Sequence, residues 1–269
     1  MVLLDTLPYM WYSIIGIKER DGTTMFDKRK KYFLVVDVET ANSLDDPMVY
    51  DVGFLVGDKQ GNIYEKYSFS VSEMFHHYQD LLKSAYYADK LPSYTIDEQN
   101  GQRIKTSFFS IRKVFVDIMK KYNIHEVYAY NASFDRRALN TTQRYLSMSK
   151  YRWFFPYGTK FSCIWHMACT TLLQQKTFKK MAKTKGWKTA SGLNISTNAE
   201  TVYRYITGED NFIEQHKGID DVLIEYEILL RCIHQHKKMK KNINPACWRV
   251  VQKKTIDNLG NQIVHPRRI

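Results

Sequence analysis

The side chains best suited to chemistry in this sequence are acids set in apolar surroundings. Asp37 and Glu39 close an apolar run, in VVDVET. Residues two apart on a strand face the same way, so both carboxylates aim at one spot. Such a pair repels, and one member stays protonated unless a cation offsets it; a divalent metal does so. Asp135 opens a helical pattern in YNASFDRRAL, and Asp221 opens another in HKGIDDVLIEYEIL, five residues after His216. Five helical residues turn about 140°, which would separate His216 from Asp221. Gly218 permits a non-helical approach that folds the imidazole back. Each element alone has a plainer reading: a solvated strand-end pair, a helix-capping aspartate, a surface histidine.

The elements that must hold these residues follow from periodicity. Residues 32–38 (YFLVVDV) suit a strand buried on both faces. Residues 48–56 form a second strand, DKQGN a turn, and residues 63–71 an alternating third strand, giving an antiparallel meander. Helices are expected at 73–88, 110–122, 134–148, 170–182, 199–206 and 220–236, with short strands at 126–130 and 161–165. On the last helix the buried side is expected to carry Val222, Leu223, Tyr226, Leu229, Leu230 and Ile233. The order βββ, helices, β, helix, β, helices makes an α/β fold, a mixed sheet with helices on its faces.

D-x-E on the first strand, N-x-x-F-D after a later one and H-x-x-x-x-D at the last helix occur in one order. In this combination the chain resembles the DEDDh 3′–5′ exonucleases over about residues 32–236. That group includes the proofreading epsilon subunit of bacterial DNA polymerase III, ribonuclease T and oligoribonuclease. Three departures stand out: Gly218 where the family usually has Ala, CIWHMA with His166 where an Asp-Thr pair is common, and KKMAKTKGWK, which reads as an insertion. The resemblance implies a ribonuclease H-like mixed sheet, a meander plus parallel strands, flanked by helices. It implies two divalent cations, Mg²⁺ with Mn²⁺ as substitute, held by Asp37, Glu39, Asp135 and Asp221. Asp37 would bridge the two ions, Asp135 would act mainly through water, and His216 would be the general base. Thr40, Ala41, Asn131, Phe134 and Met48 would meet the terminal nucleotides. The implied activity is release of nucleoside monophosphates from single-stranded or frayed 3′ ends, of DNA first and RNA as the alternative.

Composition sets the outer bounds. The 269 residues carry 40 Lys+Arg against 28 Asp+Glu, a net charge of +12, and 44% hydrophobic residues. That supports a sizeable core and excludes a disordered chain, a collagen-like repeat and a disulfide mini-protein. The basic excess points to a polyanion, most often nucleic acid. Residues 231–269 hold ten cations against Asp257 alone, so the catalytic body is expected at 32–236, with extensions at 1–31 and 237–269. Lys185 and Trp187, in the basic insertion, are candidates for tracking a single strand. Cys163, Cys169, Cys232 and Cys247 show no metal or disulfide spacing and read as thiols of a reducing, cytoplasmic setting. No apolar run is long enough to span a bilayer, so no membrane role is expected. The sequence has no GxxxxGK loop and no G-x-S-x-G elbow, which leaves no case for an NTPase or a serine hydrolase. Two other classes stay open: a catalytically silent nucleic-acid-binding module on the same fold, and a replication subunit that docks a polymerase through its extensions.

Overall fold

The computed structural model describes residues 26–147 and 152–241. The expectations for residues 1–25 and 242–269, for Met148 and for Cys247 lie outside the described residues.

Strand β1 (Tyr32–Ala41) runs through the middle of the sheet. Its side chains alternate between two apolar layers: Leu34, Val36 and Val38 enter one, Phe33 and Val35 the other. This period of two is what a strand buried on both faces requires. Asp37 and Glu39 continue the second series and therefore project toward the second layer.

β2 (Met48–Asp58) and β3 (Ile63–Val71) complete the expected meander, antiparallel throughout. β4 (Ile104–Thr106), β5 (Glu126–Ala129) and β6 (Lys160–Cys163) add parallel pairings, giving the order β4-β3-β2-β1-β5-β6. A mixed six-stranded sheet flanked by helices is thus the observed architecture.

The first layer packs against α1 (Ser72–His77), α3 (Leu91–Gln99), α4 (Phe108–Lys121) and α5 (Ala132–Leu146). Ser107 caps α4 by accepting from the Ser110 amide, and Ile111, Phe115 and Ile118 recur on its buried side. The second layer packs against α6 (Ile164–Thr170), α7 (Lys176–Lys185), α8 (Ala199–Thr207) and α9 (Gly218–His234).

Several expected elements differ in the structure. The helix expected over 73–88 is two short pieces, α1 and α2 (Gln79–Leu82), broken at Tyr78, whose backbone is non-helical. α3 and β4 were not expected; Pro92 in the first turn was the available signal for α3. The strand expected over 161–165 ends at Cys163, and Ile164 already begins α6. The helix expected over 170–182 is divided into α6 and α7. The Thr170 and Thr171 hydroxyls donate back to the His166 and Met167 carbonyls there, competing with helix continuation. On α9, Leu223, Leu230 and Ile233 are only half-buried, while Ile224, Glu225, Ile228 and Cys232 join the buried face.

α9 lies along β2, and two glycines allow it to. A Cβ on Gly53 would sit 2.1 Å from the Gly218 carbonyl carbon, and one on Gly57 would sit 2.3 Å from the Tyr226 ring. Four strand residues and eight helix residues each span about 12–13 Å, so both contacts form at once. The Tyr226 hydroxyl locks the far end by donating to the Asp58 carbonyl at 2.6 Å.

Candidate active site

The carboxyl ends of the parallel pair β1 and β5 and the amino end of α9 meet on one side of the sheet. Open α/β sheets bind ligands beyond the carboxyl ends of their strands. Asp37 and Glu39 arrive on β1, opposite Gly53 and Asp51 of β2. Asp135 arrives from the first turn of α5, six residues after the end of β5. Asp221 arrives from the first turn of α9.

The imidazole of His216 comes from outside the helix. His216 has φ +54°, a left-handed backbone that costs free energy in a non-glycine residue. That kink turns the chain into α9 two residues later and sends the ring back over the site. The ring stacks on Tyr87 at 3.9 Å between centroids and 9° between planes. Glu39, His216 and Asp221 each place a ligand atom within 4.8 Å of the others.

The amino end of α9 is clamped from below. The Gly218 amide donates to Asp51 at 3.1 Å, Tyr94 donates to the same carboxylate oxygen at 2.7 Å, and Arg103 pairs with the other. Lys217 reaches Asp97 of α3 at 2.7 Å. Gly218 itself has no room for a side chain: a Cβ would lie 2.7 Å from the Gly53 nitrogen. The Ala-to-Gly departure from the DEDDh pattern therefore has a steric cause.

The electrostatics report crowded acids. Burial raises Asp37 well above the usual carboxylate range, and the charges of Glu225, Asp135, Asp221 and Glu39 add to it. Burial pushes Glu39 up to about 8, with Asp51 and Glu214 contributing. Burial and then Glu214 and Glu39 push Asp221 up to about 9. Asp135 rises to about 7 by burial, partly offset by its own and the Val38 backbone amides. His216 is lowered from its usual value, chiefly by burial.

The donor set fits divalent cations. Carboxylate oxygens suit Mg²⁺ or Mn²⁺. Asp221 Oδ1 is buried with no hydrogen-bond partner among the described residues, a cost a bound cation would remove.

The expected substrate-binding residues are less uniform. Thr40 is half-buried at the end of β1, where the β1–β2 register shifts after Glu39. Ala41 and Met48 pair across the two strands and are core residues, 1% and 4% exposed. Asn131 is exposed at the start of α5, and Phe134 is half-buried with the Arg137 guanidinium 5.8 Å above its ring. Lys185 is committed to an ion pair with Asp210, and Trp187 packs 6.4 Å from Phe178 in the second layer.

Two acids of the site were missed. Glu225 follows Asp221 by four residues, one helical turn on the same face, and that spacing was the available signal. Glu214, raised to about 7 by burial and Glu200, lies in the irregular segment before His216, where no periodicity marks it.

Neither a family model nor a curated protein matches the sequence. Solved structures do match. The chain superposes on a 3′-exonuclease that recognises the 3′ end of the histone mRNA stem-loop with a TM-score of 0.54 at 14% identity, covering 80% of this chain and 87% of that one. Cell-death related nuclease 4 matches with a TM-score of 0.47 at 14% identity, over 78% and 66% of the two chains. Escherichia coli exonuclease I bound to a dA16 oligonucleotide matches with 0.47 at 14% identity, over 81% and 42%. On the first of these superpositions the chain shares the fold of a 3′-exonuclease, a ribonuclease H-like mixed sheet flanked by helices. Among the described residues no helix is long and apolar enough to cross a membrane.

Proposed function

We propose that this protein is a divalent-cation-dependent 3′–5′ exonuclease that removes nucleoside monophosphates from single-stranded or frayed 3′ ends of nucleic acid. The observation that carries this reading is convergence. Glu39 and Asp221 come from opposite ends of the chain, yet both reach within 4.8 Å of one imidazole, and Asp37 and Asp135 share their electrostatic field.

When bound, divalent cations would supply the positive charge that phosphodiester hydrolysis needs around the attacking water and the leaving oxygen. Asp37, Glu39, Asp135 and Asp221 would hold them. The remaining work belongs to the chain. His216, lowered by burial, is neutral at pH 7 and takes the proton of the attacking water. The water oxygen bonds to phosphorus, the bond from phosphorus to the 3′ oxygen breaks, and that oxygen takes a proton from solvent. Tyr87 holds the imidazole plane by stacking. Thr40 and the Ala41 backbone border the terminal sugar, and Phe134 and Asn131 border the adjoining nucleotide.

The test is one assay on matched 5′-labelled DNA and RNA, single- and double-stranded, with free and blocked 3′ ends, with Mg²⁺, with Mn²⁺ and with EDTA. A ladder shortening from free 3′ ends only, and abolished by EDTA, is the expected result. Binding without shortening on any substrate would instead make this a silent nucleic-acid-binding module.

A further inference from the structure

We infer that Glu225 is a fifth carboxylate ligand of the cation site, beside Asp37, Glu39, Asp135 and Asp221. This rests on the cation-dependent reading above and goes beyond it, because the four-carboxylate motif assigns Glu225 no part.

Geometry comes first. Glu225 lies one helical turn after Asp221 on α9, so both side chains leave the same face. That face looks onto β1, from which Asp37 projects into the same layer. Glu225 is 3% exposed. Its Oε2 is buried and has no hydrogen-bond partner among the described residues, a condition it shares with Asp221 Oδ1. Two buried carboxylates one turn apart each keep an unspent oxygen.

The surroundings of Glu225 are acidic. After burial itself, the strongest influences on Glu225 are the acids Asp135, Asp221 and Glu214, with the Tyr130 backbone amide acting the other way. Glu225 is in turn the strongest charged neighbour of Asp37. A glutamate serving as a salt-bridge partner would face a cation of the chain. One serving as packing would be better replaced by leucine, since an unpartnered buried oxygen costs free energy. A carboxylate aimed among carboxylates is stabilised by a bound divalent cation.

The experiment is cation binding to the full-length protein, read by isothermal calorimetry with Mg²⁺ and by Mn²⁺ electron paramagnetic resonance, without substrate. Glu225→Gln is isosteric and uncharged. It is expected to weaken binding of at least one ion about tenfold or more, and to shrink the Mn²⁺-induced rise in melting temperature. The EDTA-treated variant should melt no lower than the EDTA-treated parent, because glutamine is neutral without having to take up a proton on folding. Parental affinity and a parental Mn²⁺-induced rise in Glu225→Gln would overturn the assignment while leaving the four-carboxylate site intact. Absence of Mn²⁺ uptake by the parent would overturn the cation site itself, and this assignment with it. Should Glu225→Gln fail to fold, Glu225→Asp decides: a ligand drawn back by one methylene binds more weakly, and unchanged affinity refutes the role.

Discussion

At Asp37 and its neighbours, chemistry and stability oppose one another. Asp37, Glu39, Asp135, Glu214, Asp221 and Glu225 all have raised pKa values, with burial the largest cause of each. A carboxyl group with an unfolded pKa of about 4 and a raised folded value leaves the folded state holding more protons than the unfolded one. Stability is then full below pH 4 and declines as pH rises through the folded values, which reach about 9 at Asp221. In EDTA the melting temperature is therefore expected to fall between pH 5 and pH 9, and saturating Mg²⁺ should flatten that slope. A level profile in EDTA would show that the carboxylates do not crowd one another in solution. The same residues make separable kinetic predictions. His216→Ala should keep Mn²⁺ binding and lose about 10²–10⁴-fold in kcat, the usual contribution of a general base. Asp37→Ala should be inactive at every Mg²⁺ concentration if Asp37 is, as proposed, shared by both ions; rescue by excess metal would assign Asp37 to one ion only.

The elements explain why these residues meet. α9 can deliver His216 and Asp221 to β1 only because Gly53 and Gly218 let helix backbone touch strand backbone. Gly218→Ala puts a Cβ 2.7 Å from the Gly53 nitrogen, and Gly53→Ala puts one 2.1 Å from the Gly218 carbonyl carbon. Both are expected to destabilise by about 1–3 kcal/mol, as overpacking does, with Gly53→Ala the larger, measured by urea unfolding. Both should cost more activity than stability, since the helix end carries the site. Unchanged urea midpoints would mean that α9 sits further from β2. The sequence announced the elements with strong periodicity: β1 through its two-sided apolar run, α4 and α9 through their helical spacing. It also placed Asp37 and Glu39 at the end of β1, Asp135 at the start of α5 and Asp221 at the start of α9, where the structure has them. It did not announce α3, whose amphipathic pattern is weak, although α3 carries the Asp97 and Tyr94 contacts that steady the start of α9. Nor did it announce Glu225. A lone acid in an apolar helical stripe reads as an interruption until the facing carboxylates of β1 are placed across from it.

At the scale of the whole molecule the charge is unevenly distributed along the sequence. Residues 231–269 carry ten cations and one acid of a chain whose net charge is +12, so the remainder is nearly balanced. The candidate site is built from acids, and most of the net positive charge lies near the end of the sequence. The Lys240 amide donates to the Thr170 hydroxyl at 3.2 Å, and the Lys241 carbonyl accepts from the Cys163 amide at 2.9 Å, which brings the start of the basic segment alongside α6. If the segment beyond grips the strand being shortened, its cations should set the salt dependence of binding without touching hydrolysis. Replacing Lys253, Lys254, Arg267 and Arg268 by Gln removes four positive charges. Each phosphate contact on a single strand contributes about 0.7 to the slope of log affinity against log salt. The slope should therefore fall by up to about 3 for a long oligonucleotide, while kcat on a dinucleotide stays at the parental value. An unchanged slope would make the tail's charge a solvated face and return substrate holding to the body. A dinucleotide rate that fell with the slope would place the tail inside the catalytic step.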